Sequence, residues 1–413
     1  MTFIYNIGSF HTKGTKMKKF AKMSLVAALA VAGTAASAQP LAEAIKNVDV
    51  SGTVAYRYND YEETTGGLDN SSSTNNYKIA LNLKSKVNED ITANTRFIIG
   101  SGLGGDAASL DTHTGADGQV DVTLSEVNFT YTGLANTAIT IGKQGLATPF
   151  TVHRDAMGNE QTGTGILAQT NFGPVTLAGA YFNQTNLGTL NANNNPLDIS
   201  GSIDVDGVAG KDINGDENVI VAGAILNIAG ITADAWYVDL QDVFDAYTIG
   251  LAASYDIAGV SLAPYARYTS LDLDEVSTDN KLWKVGMRAQ MGIFGAHLGY
   301  GKTDKEGGVT DLDGSAATGY DEHWRVTLSG QTDADVIYAD VNAQVTDTIN
   351  LSLNYSDLDN DSTDTQETEI YGQVKYDMSS NFYTFVRFGQ YEVDQAGDDI
   401  DSTIGRVHVQ YSF

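Results

Sequence analysis

The chain has 413 residues and no cysteine, with 52 acidic residues against 24 basic ones and a formal net charge of −28. The lack of cysteine excludes disulfide scaffolds, cysteine-ligated zinc and thiol catalysis, and the large negative charge argues against nucleic acid as a partner. The length fits one large all-β unit as well as it fits several soluble domains.

The first 38 residues have the pattern of an export signal. Residues 17–38 begin with Met-Lys-Lys, continue through an apolar stretch and end in small residues, which predicts a secretory signal peptide cleaved before Gln39. Residues 1–16 fit no part of this plan, and we interpret them as an extension from a start codon assigned too early. Because residues 1–38 carry five lysines and no acid, the remaining domain, 39–413, has 19 basic and 52 acidic residues and a formal charge of −33.

From Val48 to Phe413 the sequence repeats segments in which every second residue is apolar, which is the period of a β-strand. The first segment has Val50 and Val54 on one face and Asp49 and Arg57 on the other. Eighteen strands are predicted near residues 48–59, 75–87, 91–100, 120–132, 137–144, 164–172, 175–185, 218–228, 231–240, 244–255, 259–269, 281–291, 296–303, 334–345, 349–356, 367–377, 381–390 and 402–413.

The connections between these strands alternate in length. Short turns separate longer polar loops at 60–74, 101–119, 186–217 and 304–333, and only the loop at 241–243 breaks the rule. This pattern predicts an all-β, transmembrane antiparallel up-and-down β-barrel of about 18 strands, with 16 as the alternative, in the outer membrane of a bacterium. The long loops would lie outside the cell, and both chain ends would lie in the periplasm.

The strand face opposite the apolar one carries charged residues. A soluble β-sandwich, β-helix or lectin also alternates, but its packed core has no room for such charges, whereas a water-filled channel accommodates them. The predicted pore-wall residues are Arg57, Lys78, Arg96, Glu126, Arg267, Arg288 and Arg387.

The connection from Gly145 to Gly163 mixes apolar and charged residues, unlike the other loops. This composition is typical of a loop that folds into a wide barrel, packs on its wall and presents charge to the channel, although an ordinary outside loop is the alternative. Opposed charges at such a place orient a passing solute. The predicted pore constriction consists of His153, Arg154, Asp155 and Glu160. The basic wall facing its two acids would consist of Arg57, Arg96, Arg267 and Arg288.

No catalytic constellation has supporting context in this sequence. The histidines are scattered, and no H-E-x-x-H, G-x-S-x-G or Walker pattern occurs. The sequence therefore predicts a protein that is not an enzyme and requires no cofactor. Acidic residues are concentrated in the loops, where a ring of negative charge at a pore mouth would concentrate cations.

Several segments resemble the major outer membrane porin of Campylobacter and its relatives. They are PLAEAIKNVDVSG at 40–52, NFTYT at 128–132, TAITIGKQ at 137–144 leading to GTG at 163–165, and the terminal RVHVQYSF at 406–413. The resemblance implies an eighteen-stranded, trimeric, cation-selective porin whose third loop narrows the channel. It also implies a divalent cation such as Ca²⁺ at the constriction, for which Asp155 and Glu160 match the family's acidic loop residues.

The sequence thus predicts an outer-membrane porin for passive diffusion of small hydrophilic solutes and ions, with a preference for cations. Its expected partners are outer-membrane lipid and lipopolysaccharide, two further copies of itself in a homotrimer, and the small polar solutes and cations that pass. A surface adhesin or interaction barrel with long acidic loops is the alternative from another functional class.

Overall fold

The computed structural model describes residues 48–101, 105–118, 120–187, 215–274, 279–397 and 399–413. The predicted signal peptide, the extension before it and most of the loop 186–217 lie outside the described residues. Within these ranges no helix is long and apolar enough to cross a membrane.

The described residues form twenty β-segments, and neighbouring segments pair in antiparallel fashion. They are β1 (Val48–Thr65), β2 (Leu68–Lys86), β3 (Ile91–Gly100), β4 (Ala108–Ser109), β5 (Asp121–Tyr131), β6 (Thr137–Gly145), β7 (Thr162–Phe172), β8 (Val175–Thr185), β9 (Val219–Ile228), β10 (Ile231–Leu240), β11 (Phe244–Ala253), β12 (Tyr255–Ile257), β13 (Val260–Leu273), β14 (Asp279–Met291), β15 (Phe294–Thr303), β16 (Ala334–Gln344), β17 (Ile349–Asn360), β18 (Thr365–Ser379), β19 (Phe382–Asp394) and β20 (Ile400–Ser412).

These segments make a closed barrel of eighteen strands, which confirms the predicted fold. The two-residue β4 is a piece of the loop after β3 that pairs with β2, and β12 continues β11 along the same partner, β13. The last strand pairs with the first from Thr53 opposite Ser412 to Thr65 opposite Ile400. Because the sheet closes on itself, every strand has two neighbours and no backbone edge is left for lipid to solvate.

Side chains alternate between the outer and the inner surface of the barrel. On β15, Leu298 faces outward and is 61% exposed, whereas its neighbours His297 and Gly299 are buried. On β17, Leu353 faces outward and Asn354 inward. The outward residues form an apolar surface suited to lipid, and the inward ones line the lumen.

The predicted loop at 60–74 is wrong. Strands β1 and β2 continue through this region until Thr65 pairs with Leu68, so that only Gly66 and Gly67 turn the chain. Their φ angles are 59° and 77°, as expected for the two-residue turns that match the twist of a hairpin. The prediction relied on the alternation of apolar residues to find strands. Here serine, threonine and asparagine extend β1 and β2 beyond the apolar band of the barrel, where both faces of each strand are polar.

The predicted outside loop at 304–333 is also wrong. This segment, the second inner loop, folds into the barrel alongside residues 146–161, the first inner loop. The two loops touch where Leu312 N donates to Phe150 O at 2.8 Å and Thr318 N donates to Pro149 O at 3.0 Å. Tyr320 and Leu328 of the second inner loop are fully buried against the inner wall. Apolar residues of this loop therefore pack with inward-facing wall residues and form an apolar core inside the lumen. The apolar residues on the outer face of the strands point to lipid and take no part in it.

A charge on the outer face should cost far more stability than a charge on the inner face of the same strand. Leu353→Arg, near the middle of β17, is expected to lower the free energy of unfolding by about 2–4 kcal/mol because the guanidinium meets hydrocarbon. The matched control is Ser352→Arg, whose side chain points into the lumen, since Asn354 donates to Ser352 Oγ at 3.2 Å. Denaturant titration of both variants in lipid vesicles measures the difference, and equal losses would contradict the assigned faces.

Candidate functional site: the constricted lumen

The first inner loop leaves the wall at Gly145 and rejoins it at Thr162. Its two ends are tied together, because Leu146 N donates to Gln161 O at 2.9 Å and Gln161 N donates to Val152 O at 3.0 Å. Phe150 at its tip is fully buried, and the Gln161 amide donates to Leu312 O of the second inner loop. These contacts hold the charged stretch 153–160 in one position within the lumen.

Glu160 joins the first inner loop to the barrel wall. Its carboxylate accepts hydrogen bonds from Arg96 Nε at 2.7 Å, Arg96 Nη2 at 2.5 Å and Ser125 Oγ at 3.0 Å, and its Oε1 lies 3.3 Å from Lys78 Nζ. The Glu160 side chain is 0% exposed. Its charge is therefore engaged with two wall cations and is not presented to passing solutes.

The surroundings of Glu160 keep it ionised. Burial by itself would raise the pKa of this carboxyl group, but the hydrogen bond from Arg96 and the positive charge of Lys78 outweigh burial and hold the pKa below its ordinary value. The bidentate guanidinium contact is the strongest arrangement available for such a pair.

The other three predicted constriction residues are more accessible. Arg154 Nη2 donates to Glu126 Oε1 at 2.8 Å, and the arginine side chain is 41% exposed. Asp155 is partly exposed, and its Oδ1 accepts from the backbone N–H groups of Met157 and Gly158. Burial, and then the charge of Arg154, lower the pKa of His153, which is therefore neutral at pH 7. The first inner loop thus offers one positive and one negative side chain to the lumen.

The predicted basic wall is divided into separate environments. Arg267 Nη2 donates to both carboxylate oxygens of Asp234, at 3.0 and 2.9 Å, and Arg288 Nη2 donates to Glu322 Oε2 at 2.5 Å. Arg96 is occupied by Glu160. Arg57 remains without an ion pair of 4.0 Å or less among the described residues.

The predicted site residues do not include the acids that partner this wall and its inner loops. Asp234 lies on the lumen face of β10 and could have been found from strand parity. Glu322 and Trp324 belong to the second inner loop, whose inward course no periodicity indicated. Glu369 on β18 is fully buried and accepts from the backbone N–H groups of Trp324 and Arg325 at 3.1–3.2 Å, so it fastens that loop to the wall.

The residues present do not fit a divalent cation shared by Asp155 and Glu160. Both oxygens of Glu160 are engaged by Arg96, Lys78 and Ser125. The Lys78 ammonium also donates to the backbone carbonyl oxygens of Asp155 at 3.0 Å and Gly158 at 2.7 Å. A fixed positive charge therefore already lies beside Glu160, where a shared divalent cation would have to bind. Within the described part of the chain, no group of three or more acidic or histidine side chains is arranged to hold a metal ion.

A closed antiparallel barrel with an apolar exterior, a charged lumen and inward-folded loops defines an outer-membrane channel of the porin type. The family model described as Campylobacter major outer membrane protein matches residues 17–413. The chain belongs to this family, which confirms the resemblance seen in its sequence and places the protein in the bacterial outer membrane.

Solved structures show the same fold in other bacterial channels. The outer membrane protein OpdK of Pseudomonas aeruginosa is 13% identical with a TM-score of 0.68, OccK2 (OpdF) of the same organism in complex with glucuronate is 14% identical with a TM-score of 0.69, and OccAB4 of Acinetobacter baumannii is 14% identical with a TM-score of 0.65. Each covers 88% of this chain and 98% of its own. A search of curated proteins finds no match.

Neutralising Glu160 should destabilise the barrel. Glu160→Gln leaves Lys78 and Arg96 buried without their counter-charge, so the free energy of unfolding should fall by about 3–5 kcal/mol. The control is Glu126→Gln, whose partner Arg154 is 41% exposed, so that loss of this pair should cost less than about 1 kcal/mol. Denaturant unfolding in detergent micelles compares the two.

This stabilisation should also depend on pH. Because the pKa of folded Glu160 lies below its unfolded value, its contribution should be fully present above about pH 4.3 and be lost as the pH falls through the folded pKa. Equal losses in the Glu160 and Glu126 variants would contradict the buried cluster.

Asp311 of the second inner loop should have the opposite dependence. It is fully buried, neither carboxylate oxygen makes a hydrogen bond of normal geometry to a described residue, and burial raises its pKa to about 7, with nearby Ser329 offsetting part of the effect. A carboxyl group with a raised folded pKa favours the folded state when protonated, so stability should fall as the pH rises from about 4 to about 7.

Asp311→Asn should therefore stabilise the protein at pH 8 by about 1–3 kcal/mol and change it little at pH 4. Glu306→Gln, an exposed acid in the same loop, serves as the control. Thermal unfolding of the variant and the unaltered protein at the two pH values measures the effect, and a gain in stability that is no larger at pH 8 than at pH 4 would refute it.

Proposed function

We propose that this protein is a channel for passive diffusion of small hydrophilic solutes and ions, that it performs no reaction, and that it favours cations. The observation that carries the proposal is the lumen, which is lined by ionised side chains and narrowed by two loops fastened to its wall. Such a lining supports the passage of water and polar solutes. The family to which the chain belongs supports the same role.

The proposed constriction lies between the first inner loop and the wall of β1. On the loop side, His153, Arg154 and Asp155 would contact the solute, and Glu160 would position them through Lys78 and Arg96. On the wall side, Arg57 would supply the opposing positive charge. A field between separated opposite charges orients a dipolar solute as it passes.

The cation preference is supported by the outer rim of the barrel. The hairpin of β1 and β2 and the facing ends of β19 and β20 enclose a cleft of about 530 Å³. Five carboxylates line it, from Glu62, Glu63, Asp69, Glu392 and Asp401. Their combined field would concentrate cations at the mouth and repel anions, with a reach that shortens as salt increases.

We further propose a homotrimer that contacts outer-membrane lipid and lipopolysaccharide. The apolar outer surface supports the contact with lipid, and the family resemblance supports the trimer. Cross-linking of the purified, unboiled protein tests the oligomeric state.

Planar bilayers test the channel itself. Stepwise conductance that narrows as larger uncharged solutes are added is the expected result for a diffusion pore. A correctly folded protein, shown by its heat-dependent gel mobility, that gives no steps would overturn the proposal and favour the adhesin alternative.

Removing the rim charges should weaken cation preference. The variant carrying Glu62→Gln, Glu63→Gln, Asp69→Asn and Glu392→Gln is expected to lower the cation-to-anion permeability ratio roughly two-fold or more at low salt. The control, Ser71→Ala with Thr403→Val, changes the same cleft without changing its charge. Reversal potentials under a salt gradient measure the ratio, and the difference should shrink near 1 M salt, where the Debye length is about 3 Å. An unchanged ratio at low salt would exclude the rim as its source.

A further inference from the structure

Three arginines lie together on the lumen face where the barrel closes. Arg387 on β19 is directly opposite Arg406 on β20, and Arg57 on β1 is opposite His408, two residues further along β20. We call these residues the arginine cluster. Like charges directly opposite each other on neighbouring strands destabilise a sheet, so this arrangement costs the barrel stability.

No carboxylate of the described residues forms an ion pair with the cluster. Of the eight arginines in the chain, Arg96, Arg154, Arg267 and Arg288 form ion pairs. No described acid lies within 4.0 Å of a cluster guanidinium. Arg387 Nε donates to the neutral Gln373 at 2.5 Å and Arg406 Nε donates to the neutral Asn59 at 2.7 Å.

Arg57 is the least satisfied member of the cluster. Its Nε is inaccessible to solvent and has no hydrogen-bond partner among the described residues. A buried donor on a charged group that finds no acceptor is costly and uncommon in a folded protein.

Aromatic rings hold two guanidinium groups of the cluster in place. Arg406 lies 4.8 Å from the ring of Trp324, and Arg387 lies 4.7 Å from the ring of Phe385 and 5.3 Å from that of Tyr371. Stacking on these faces fixes the plane of each group. Arg406 Nη2 donates a long hydrogen bond to Tyr61 Oη at 3.5 Å, and the Nη atoms of Arg387 have no acceptor among the described residues. The rings offer apolar contact beside these donors.

We infer that the arginine cluster is a binding subsite for the carboxylate of a small organic solute. A planar guanidinium fork matches the two oxygens of a carboxylate, and the neighbouring rings suit an apolar or aromatic body attached to it. A solute held here by its carboxylate would direct its other end towards Asp155, so a cationic end would be favoured there. This inference goes beyond the proposed function, because a diffusion channel as such needs no subsite.

Calorimetric titration of the folded protein in detergent with benzoate tests the subsite without relying on conductance. Benzoate should bind, and Arg387→Gln should weaken its affinity about ten-fold or more through loss of a charge-assisted contact. The control Arg288→Gln removes one lumen charge that is already paired with Glu322, and the affinity should stay within about two-fold. Arg387→Lys, which keeps the charge but not the fork, should weaken binding to an intermediate degree.

Four results would overturn the inference. They are no benzoate binding to the unaltered protein, equal losses in Arg387→Gln and Arg288→Gln, equal binding of uncharged benzamide, and equal binding of inorganic phosphate. Absence of benzoate binding would mean that no site exists, and equal losses in the two variants would mean that only the general field of the lumen acts. Equal binding of benzamide would indicate a cleft that recognises only the aromatic ring, and equal binding of phosphate would indicate a site for any oxyanion. Benzoate binding by a protein that gives no conductance steps would refute the diffusion channel and leave the subsite standing.

Discussion

Closure of the sheet between β1 and β20 is the constraint on which the rest of the molecule depends. In hydrocarbon, an unpaired backbone N–H or C=O costs several kcal/mol, so strands can cross the membrane only when the first pairs with the last. In a closed barrel, one face of every strand contacts lipid within the membrane and must be apolar there. The other face lines an enclosed space. A ring of eighteen strands encloses more space than its own side chains fill, so the inner loops have room to enter it.

The inner loops turn a wide cylinder into a constricted one, and buried charges hold them there. Glu160 binds the first inner loop to Arg96 and Lys78, and Glu369 binds the second to the wall through backbone N–H groups. Removing one partner from such a buried arrangement is costly, so the loops are held firmly. This accounts for the lack of fit to a divalent cation, since the ammonium of Lys78 already makes the contacts that would hold the loop.

Paired and unpaired charges have different roles in this lumen. Where an arginine has a carboxylate partner, as Arg267 has Asp234, its charge is largely cancelled and it stiffens the wall. Neither the arginine cluster nor the carboxylates of the outer rim have an ion-pair partner among the described residues. Negative charge therefore lines the mouth, and separated charges of both signs lie deeper in the lumen.

The sequence by itself determined the strands, the outward and inward parity of their residues and the class of protein, because side-chain alternation is a local property that each strand shows on its own. It missed the strand continuation at 60–74, where the alternation of apolar residues ends although backbone pairing does not. Only the tertiary structure decided that 304–333 turns inward, that Glu160 is buried and that Arg57 has no ion-pair partner among the described residues. These features depend on which atoms meet across the lumen between residues far apart in the chain, as Lys78 and Glu160 are, and no local pattern records such a meeting.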